Sequence, residues 1–246
     1  MSTTTPAAAT PPRRERPSSK YAFVTVGASA SFKPLIEEVI SDAFVAKLES
    51  LSYTHLVVQC GPDYDFFRAA VAANPRLRRA VDDDDDYEEE EEEDGRLSVT
   101  CFAYKDDLLA DMKLATPYDG PEAVRSPGLI ITHAGSGSIL DALDFNVSLI
   151  AVPNTSLMDN HQSEIAEEME EQGFLVQGKI GSLTDAVDKA LLHTANQQWP
   201  PAPAADSIWP GGLWDVIKSL LPKQKPGDVL VKDTTATEDD LKAHAA

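Results

Sequence analysis

Cysteine is scarce in this chain, with two in 246 residues. Cys60 and Cys101 lie in apolar, strand-like runs, which points to buried, reduced thiols in place of a disulfide framework and fits a cytosolic environment. Basic residues are outnumbered, 21 Lys and Arg against 41 Asp and Glu. Beyond the short group Arg13, Arg14 and Arg16, no region forms the basic stripe that phosphate neutralisation requires, so a nucleic-acid partner is excluded. Nor does any apolar run approach the ~20 residues that span a bilayer, and the first residues lack the apolar centre of a secretory signal. A membrane is therefore reached only with help. The five His show no helical ligand spacing with another His, Cys or Glu, and neither a metal nor a cofactor is expected. No G-x-S-x-G turn follows a strand, which removes the nucleophile-elbow hydrolases.

What is present suffices for a core, since 42% of the residues are hydrophobic. The formal charge of −20 is inflated by one run, 82–94, which holds 12 of the 41 acidic residues. Short β-branched runs read as strands over 21–26, 55–60, 97–102, 129–132, 148–152 and 174–177. Helical patterns alternate with them. Pro34 opens one whose stripe of Ile36, Val39, Ile40, Phe44, Leu48 and Leu51 runs unbroken. Others cover 66–73, 106–114, 138–145 and 161–172, the last stopped by Gly173, and Ser182 with Asp185 forms a capping-box pattern opening a helix to about His193. Strands apolar on both faces, alternating with helices, predict an α/β fold: a single Rossmann-like parallel sheet with helices on both faces.

The expected organisation is a disordered leader over 1–19, preferred to a transit peptide, followed by one Rossmann-like domain over 20–194. That domain is interrupted by a solvated acidic loop at 82–95 and a Pro-rich loop at 115–128. A Pro/Ala linker (195–207), an amphipathic helix (208–221) carrying Trp209 and Trp214, and a flexible tail (222–246) complete the chain.

Chemistry concentrates where strands hand over to helices. In a parallel sheet, ligands lie beyond the carboxyl ends of the strands, where helix N-termini present unpaired N–H groups and the positive end of the dipole. The stretch HAGSGS, His133 to Ser138, occupies such a place, and its small side chains let an anion approach the backbone. Equally, Gly135 and Gly137 make a tight turn and Ser138 with Asp141 caps a helix. Leu140 stands where a dinucleotide fingerprint needs Gly. A second small-residue turn, Gly27-Ala28-Ser29-Ala30-Ser31, follows the first strand, so two turns can converge on one diphosphate. After the fifth strand, Asp159, Asn160, His161 and Gln162 offer donors and acceptors suited to sugar hydroxyls, although one of the four is expected to serve as an ordinary N-cap.

Three stretches, VTVGASASFKPLI from Val24, ITHAGSGSILDAL from Ile131 and VPNTSLMDNHQSEIAEEMEEQG from Val152, resemble one family over residues 21–193. It is that of the catalytic subunit of the UDP-N-acetylglucosamine transferase which adds the second GlcNAc of the dolichol-linked oligosaccharide, a glycosyltransferase family 28 C-terminal, donor-binding domain. The resemblance implies the C-terminal half of a two-domain GT-B enzyme. It implies UDP-GlcNAc as donor, with Gly27, Ala28 and Ser29 and Gly135, Ser136, Gly137 and Ser138 on the diphosphate, Asp141 on the ribose, and Asn160, His161 and Gln162 on the GlcNAc. Asp141 stands where the family usually carries the longer Glu, and Ala28 and Ser29 where it more often carries Thr.

A chain with one Rossmann-like half lacks an acceptor half. The resemblance therefore implies a membrane-anchored partner subunit that binds the dolichol-linked acceptor and recruits this chain, cytoplasmic and peripheral, to the cytosolic face of the endoplasmic reticulum. Helix 208–221 is a candidate docking element. Transfer is expected to be inverting, with His133 as a candidate base unless the partner supplies one. Two other functions remain open at this point: a UDP-GlcNAc 2-epimerase-like enzyme and a non-catalytic nucleotide-sugar-binding module.

Overall fold

The computed structural model describes residues 18–79, 96–121, 123–157 and 161–193. The chain divides into two units, Met1–Ala202 and Pro203–Ala246, and every described residue belongs to the first. The acidic run, linker, Trp-bearing helix 208–221 and tail lie outside the described residues.

A two-residue strand β1 (Ser18–Ser19) precedes β2 (Tyr21–Thr25), the first strand of the main sheet, and helices α1 (Lys33–Val39) and α2 (Asp42–Ser50) lead to β3 (His55–Gln59). A 3-10 turn (Gly61–Asp63) runs into α3 (Tyr64–Ala73), β4 (Leu77–Arg79) and β5 (Leu97–Phe102). The short α4 (Leu109–Met112), β6 (Tyr118–Asp119) and β7 (Val124–Arg125) then return the chain to β8 (Leu129–Thr132). Helix α5 (Ser136–Leu143), β9 (Ser148–Ala151), α6 (His161–Glu171), β10 (Val176–Gln177) and α7 (Leu183–His193) complete the domain.

Seven strands pair in the order β10-β9-β8-β2-β3-β5-β4, and every pairing is parallel. From β2 the chain winds outward through β3 to β5, then crosses back to place β8 on the other side of β2 and winds the opposite way. The topological switch point therefore lies between β2 and β8, in register from Ala22↔Leu129 to Thr25↔Thr132.

Strand periodicity sorts the core into two faces. Ala22, Val24, Leu56, Val58, Ile131 and Ile150 pack against α1, α2, α3 and α7 through residues such as Ile36, Phe44, Phe67 and Val187. Phe23, Val57, Ile130 and Leu149 point the other way, onto Met112 of α4, Ile139 and Ala142 of α5 and Ala166 of α6. Helices thus cover both faces of one Rossmann-like parallel sheet, as the alternation predicts. Among the described residues, no helix is long and apolar enough to cross a membrane.

Several boundaries differ from the sequence reading. The apolar stripe after Pro34 is continuous, but the helix is not. Ser41 adopts an extended conformation and its Oγ accepts from Phe44 N–H, capping a second helix in mid-stripe. Ser18 and Ser19, placed in the leader, pair parallel with β7. The Pro-rich 115–128 segment holds the antiparallel β6–β7 pair, and the helix expected over 106–114 shrinks to α4 followed by a 3-10 turn, Lys113–Ala115. Ser182 does not close the expected capping box. Its hydroxyl donates to the Lys179 carbonyl, while Glu38 of α1 accepts from Gly181 N–H and Leu183 N–H, both at 2.8 Å, at the start of α7.

Candidate functional site

The carboxyl ends of β2 and β8 finish on the same residue type and turn in the same way. Thr25 and Thr132 face each other in register. Thr25 Oγ1 accepts from Gly27 N–H at 3.2 Å, and Thr132 Oγ1 accepts from Ala134 N–H at 3.3 Å. In both turns the residue two beyond the Thr is left-handed, Gly27 at φ +83° and Ala134 at φ +63°. Glycine accepts that conformation freely; for a buried alanine it stores strain of about 1 kcal/mol or more. The two turns are built alike, on adjacent strands, at the switch point.

His133 is wedged between them. A β-carbon at Gly27 would come within 2.9 Å of its Nε2 and Cε1, and one at Gly135 within 2.5 Å of Nε2. A β-carbon at either glycine thus meets the imidazole that lies across them and is accommodated only if that ring shifts. Burial holds His133 below the usual histidine range, an effect that the nearby Thr25 carbonyl opposes; among the described residues its buried Nδ1 has no hydrogen-bond partner. The folded ring is neutral near pH 7. Gly61, left-handed at φ +53°, makes the third close approach: a β-carbon there would meet the Gly27 carbonyl at 2.7 Å.

Helix α5 starts at Ser136 with Gly135 as its N-cap, and no side chain caps it. Ser138 and Asp141 both lie inside the helix, so the capping reading of that pair does not hold. First-turn N–H groups of α5 have no intrahelical acceptor and carry the positive end of the helix dipole. Gly137 stands in open space, with nothing among the described residues within 4 Å of where its β-carbon would be.

A cavity of about 310 Å³ opens beside these turns, lined by Thr25, Gly27, Ala28, Gln59, His133, Ser138 and Asp141 and by residues 104–109 after β5. Gln59, buried at the end of β3, receives the Thr25 hydroxyl on Oε1. Tyr104 and Leu109 are exposed at the rim, and the Tyr104 hydroxyl is held by Asp106, which pushes its pKa up.

Of the residues singled out in the sequence, Gly27, Ala28, His133, Ser138 and Asp141 thus share one cavity. Ser29 and Gly135 belong to the two turns and Ser136 and Gly137 open α5, beside the cavity's lining. His161 and Gln162 open α6 elsewhere: His161 is exposed with Glu164 at 3.6 Å, and Gln162 Oε1 accepts from Asn154 N–H at 3.0 Å. Asn160, with Asp159, lies outside the described residues. Among the described residues, no three His, Cys, Asp or Glu side chains converge as a metal-binding group. The sequence reading missed Thr25, Gln59 and the 104–109 turn. The signal for the threonines was present, a Thr two residues before each left-handed turn in TVG and THA.

A doubly wound α/β domain with a polar cleft at its switch point, flanked by two matched turns and an uncapped helix start, is the class that the fold and site define. Within that class the chain belongs to the glycosyltransferase family 28 C-terminal domain, whose family model matches residues 21–207. It is 36% identical over 159 residues to the UDP-N-acetylglucosamine transferase subunit ALG13 of Candida glabrata, covering 63% of this chain and 78% of that protein. The ALG13 subunit of Saccharomyces cerevisiae is 32% identical over 164 residues, covering 63% and 76%. With the mouse ALG13 subunit, identity is 34% over 156 residues, but the match spans 10% of that longer protein. Among solved structures, an NMR structure of ALG13 aligns at 26% identity with a TM-score of 0.48 over 76% of this chain and 90% of that one.

Proposed function

We propose that this chain is the donor-binding, catalytic subunit of a two-subunit N-acetylglucosaminyltransferase, moving GlcNAc from UDP-GlcNAc to GlcNAc-diphosphate-dolichol. The observation that carries the proposal is the pair of Thr-anchored turns meeting at the β2–β8 switch point of a family 28 C-terminal domain. Gly27 to Ser29 and Gly135 to Ser138 hold the diphosphate, Asp141 the ribose, and Asn160, His161 and Gln162 the sugar. The exposed Tyr104 ring at the cavity rim offers a face on which the base stacks.

The chain takes the part of the C-terminal half of a GT-B enzyme. A membrane-anchored subunit on the cytosolic face of the endoplasmic reticulum supplies the acceptor half. In the reaction the acceptor 4-hydroxyl attacks the anomeric carbon from the side opposite the diphosphate. The new C–O bond forms as the bond to UDP breaks, configuration inverts, UDP leaves with the electron pair, and a base takes the hydroxyl proton. Charge grows on the diphosphate as it departs, and fixed amides with the α5 dipole stabilise it there; each such donor contributes about 3 kcal/mol in comparable sites. His133, neutral and pressed onto both glycines, seats the two turns, and the base belongs to the acceptor half.

The test is a titration of the purified chain with UDP and UDP-GlcNAc, followed by a transfer assay with and without membranes carrying the acceptor subunit. Binding alone and transfer only with the membranes is the expected result. Epimerised sugar without acceptor would make the chain a 2-epimerase, binding without turnover in either condition a non-catalytic module, and no binding would end the donor-site reading.

A further inference from the structure

One buried side chain joins the turn after β9 to the turn after β2, and the proposed reaction gives it no role. Asn154 is 5% exposed, and each of its polar groups is used. Its N–H donates to Gln162 Oε1 at 3.0 Å, and its carbonyl accepts from Leu157 N–H at 3.2 Å. Its Oδ1 accepts from Ser156 N–H at 3.2 Å and from the Ser156 hydroxyl at 2.6 Å. Its Nδ2–H crosses to the Ser31 carbonyl at 3.0 Å, a bond between residues 123 apart in sequence.

Ser31 closes the first small-residue turn, and a second group grips it. The Ser31 hydroxyl donates to Asp63 Oδ1 at 2.8 Å, and Phe32 N–H donates to Asp63 Oδ2 at 2.8 Å. The turn is therefore anchored at its near end by Thr25 and at its far end by Asp63 and Asn154. Among the described residues, Asn154 alone supplies a hydrogen bond from it to the segment that leads to α6. An amide is the side chain suited to this place, because it must accept from Ser156 and donate to Ser31 at once; a carboxylate does only the first. A buried amide bonded through both its oxygen and its nitrogen also fixes its surroundings, since releasing either bond leaves a buried polar group unpaired.

We propose that Asn154 is a positioning residue that sets the diphosphate turn relative to Gln162, so that nucleotide and sugar are gripped as one rigid site. This inference rests on the donor-site reading above. UDP engages the turns after β2 and β8 without the segment that begins α6, whereas UDP-GlcNAc engages that segment as well through its sugar, so loss of the link weakens the two ligands unequally.

The experiment titrates the full chain and its variants with UDP and with UDP-GlcNAc by calorimetry, with a thermal melt of each. Asn154→Asp keeps the bonds from Ser156 and sets an oxygen against the Ser31 carbonyl. It is expected to change UDP affinity less than about threefold and to weaken UDP-GlcNAc by about tenfold or more, about 1.4 kcal/mol. Asn154→Ser, too short to reach Ser31 and without charge, should show the same selective loss and stands in if the Asp variant fails to fold. Asp63→Asn, which loosens the same Ser31 without touching the α6 segment, should weaken both ligands by one factor. Equal weakening of the two ligands by the Asn154 variants, no change, or failure of both variants to fold overturns the inference. In those cases wild-type binding shows that the donor-site reading survives. A wild-type chain that binds neither nucleotide removes the donor site and this inference together.

Discussion

Gly137→Ala moves stability and function in opposite directions. Gly137 is the second residue of α5, its φ is not in the left-handed range, and a β-carbon there meets nothing within 4 Å. Replacing Gly by Ala at such a helical position removes backbone entropy from the unfolded chain and stabilises by about 0.5–1 kcal/mol. For a domain of this size that raises the melting midpoint by about 1–4 °C. The same methyl tilts toward the helix N-terminus, into the space from which an anion approaches the first-turn amides. Loss of one charge-assisted bond costs about 1.5–3 kcal/mol, so UDP should bind about 10- to 150-fold more weakly. Thermal denaturation and calorimetry on the same preparation read both quantities. A variant that melts higher and binds UDP as tightly as wild type would refute the placement of the diphosphate at α5. A variant that melts lower would refute the open space above Gly137.

Protonation of His133 supplies a second prediction. Burial lowers its pKa in the folded state, so the unfolded chain binds the proton first as pH falls through about 6.5. The stability associated with the neutral ring is complete above that pH and declines below it, toward the depressed folded value. Melts from pH 7.5 to 5 should fall more steeply for wild type than for His133→Gln; parallel curves would contradict the wedge. Tyr104→Ala should weaken UDP binding by about tenfold through lost stacking with the melting midpoint unchanged, because the ring is exposed. Glu38→Ala removes the carboxylate that receives two N–H groups at the start of α7, at a cost of about 1 kcal/mol. A midpoint lowered by about 2–4 °C with UDP affinity intact is expected, and an unchanged midpoint counts against the cap.

Strand and helix alternation was legible because each strand is apolar on both faces, a pattern that only a sheet covered on both sides produces. The switch point was not, since no local pattern encodes that β8 returns beside β2. The break at Ser41 escaped notice because the apolar period carries straight through it, and β4 is three residues long, too short for a period to register. In the site, the two glycine turns announced themselves. The residues that shape them did not: Thr25, Gln59 and Asn154 sit in or beside apolar runs, and their bonds span 34 to 123 residues. Glu38 belongs with them, since a cap supplied from 145 residues away leaves no trace beside the helix it closes.

Amide-resolved NMR of the full chain during a UDP titration tests the central claim most directly. The account predicts that the largest shifts fall on the amides of residues 27–31 and 134–138, saturating together with one dissociation constant. Shifts concentrated on other strand ends, or no saturable shift at any amide, would contradict it.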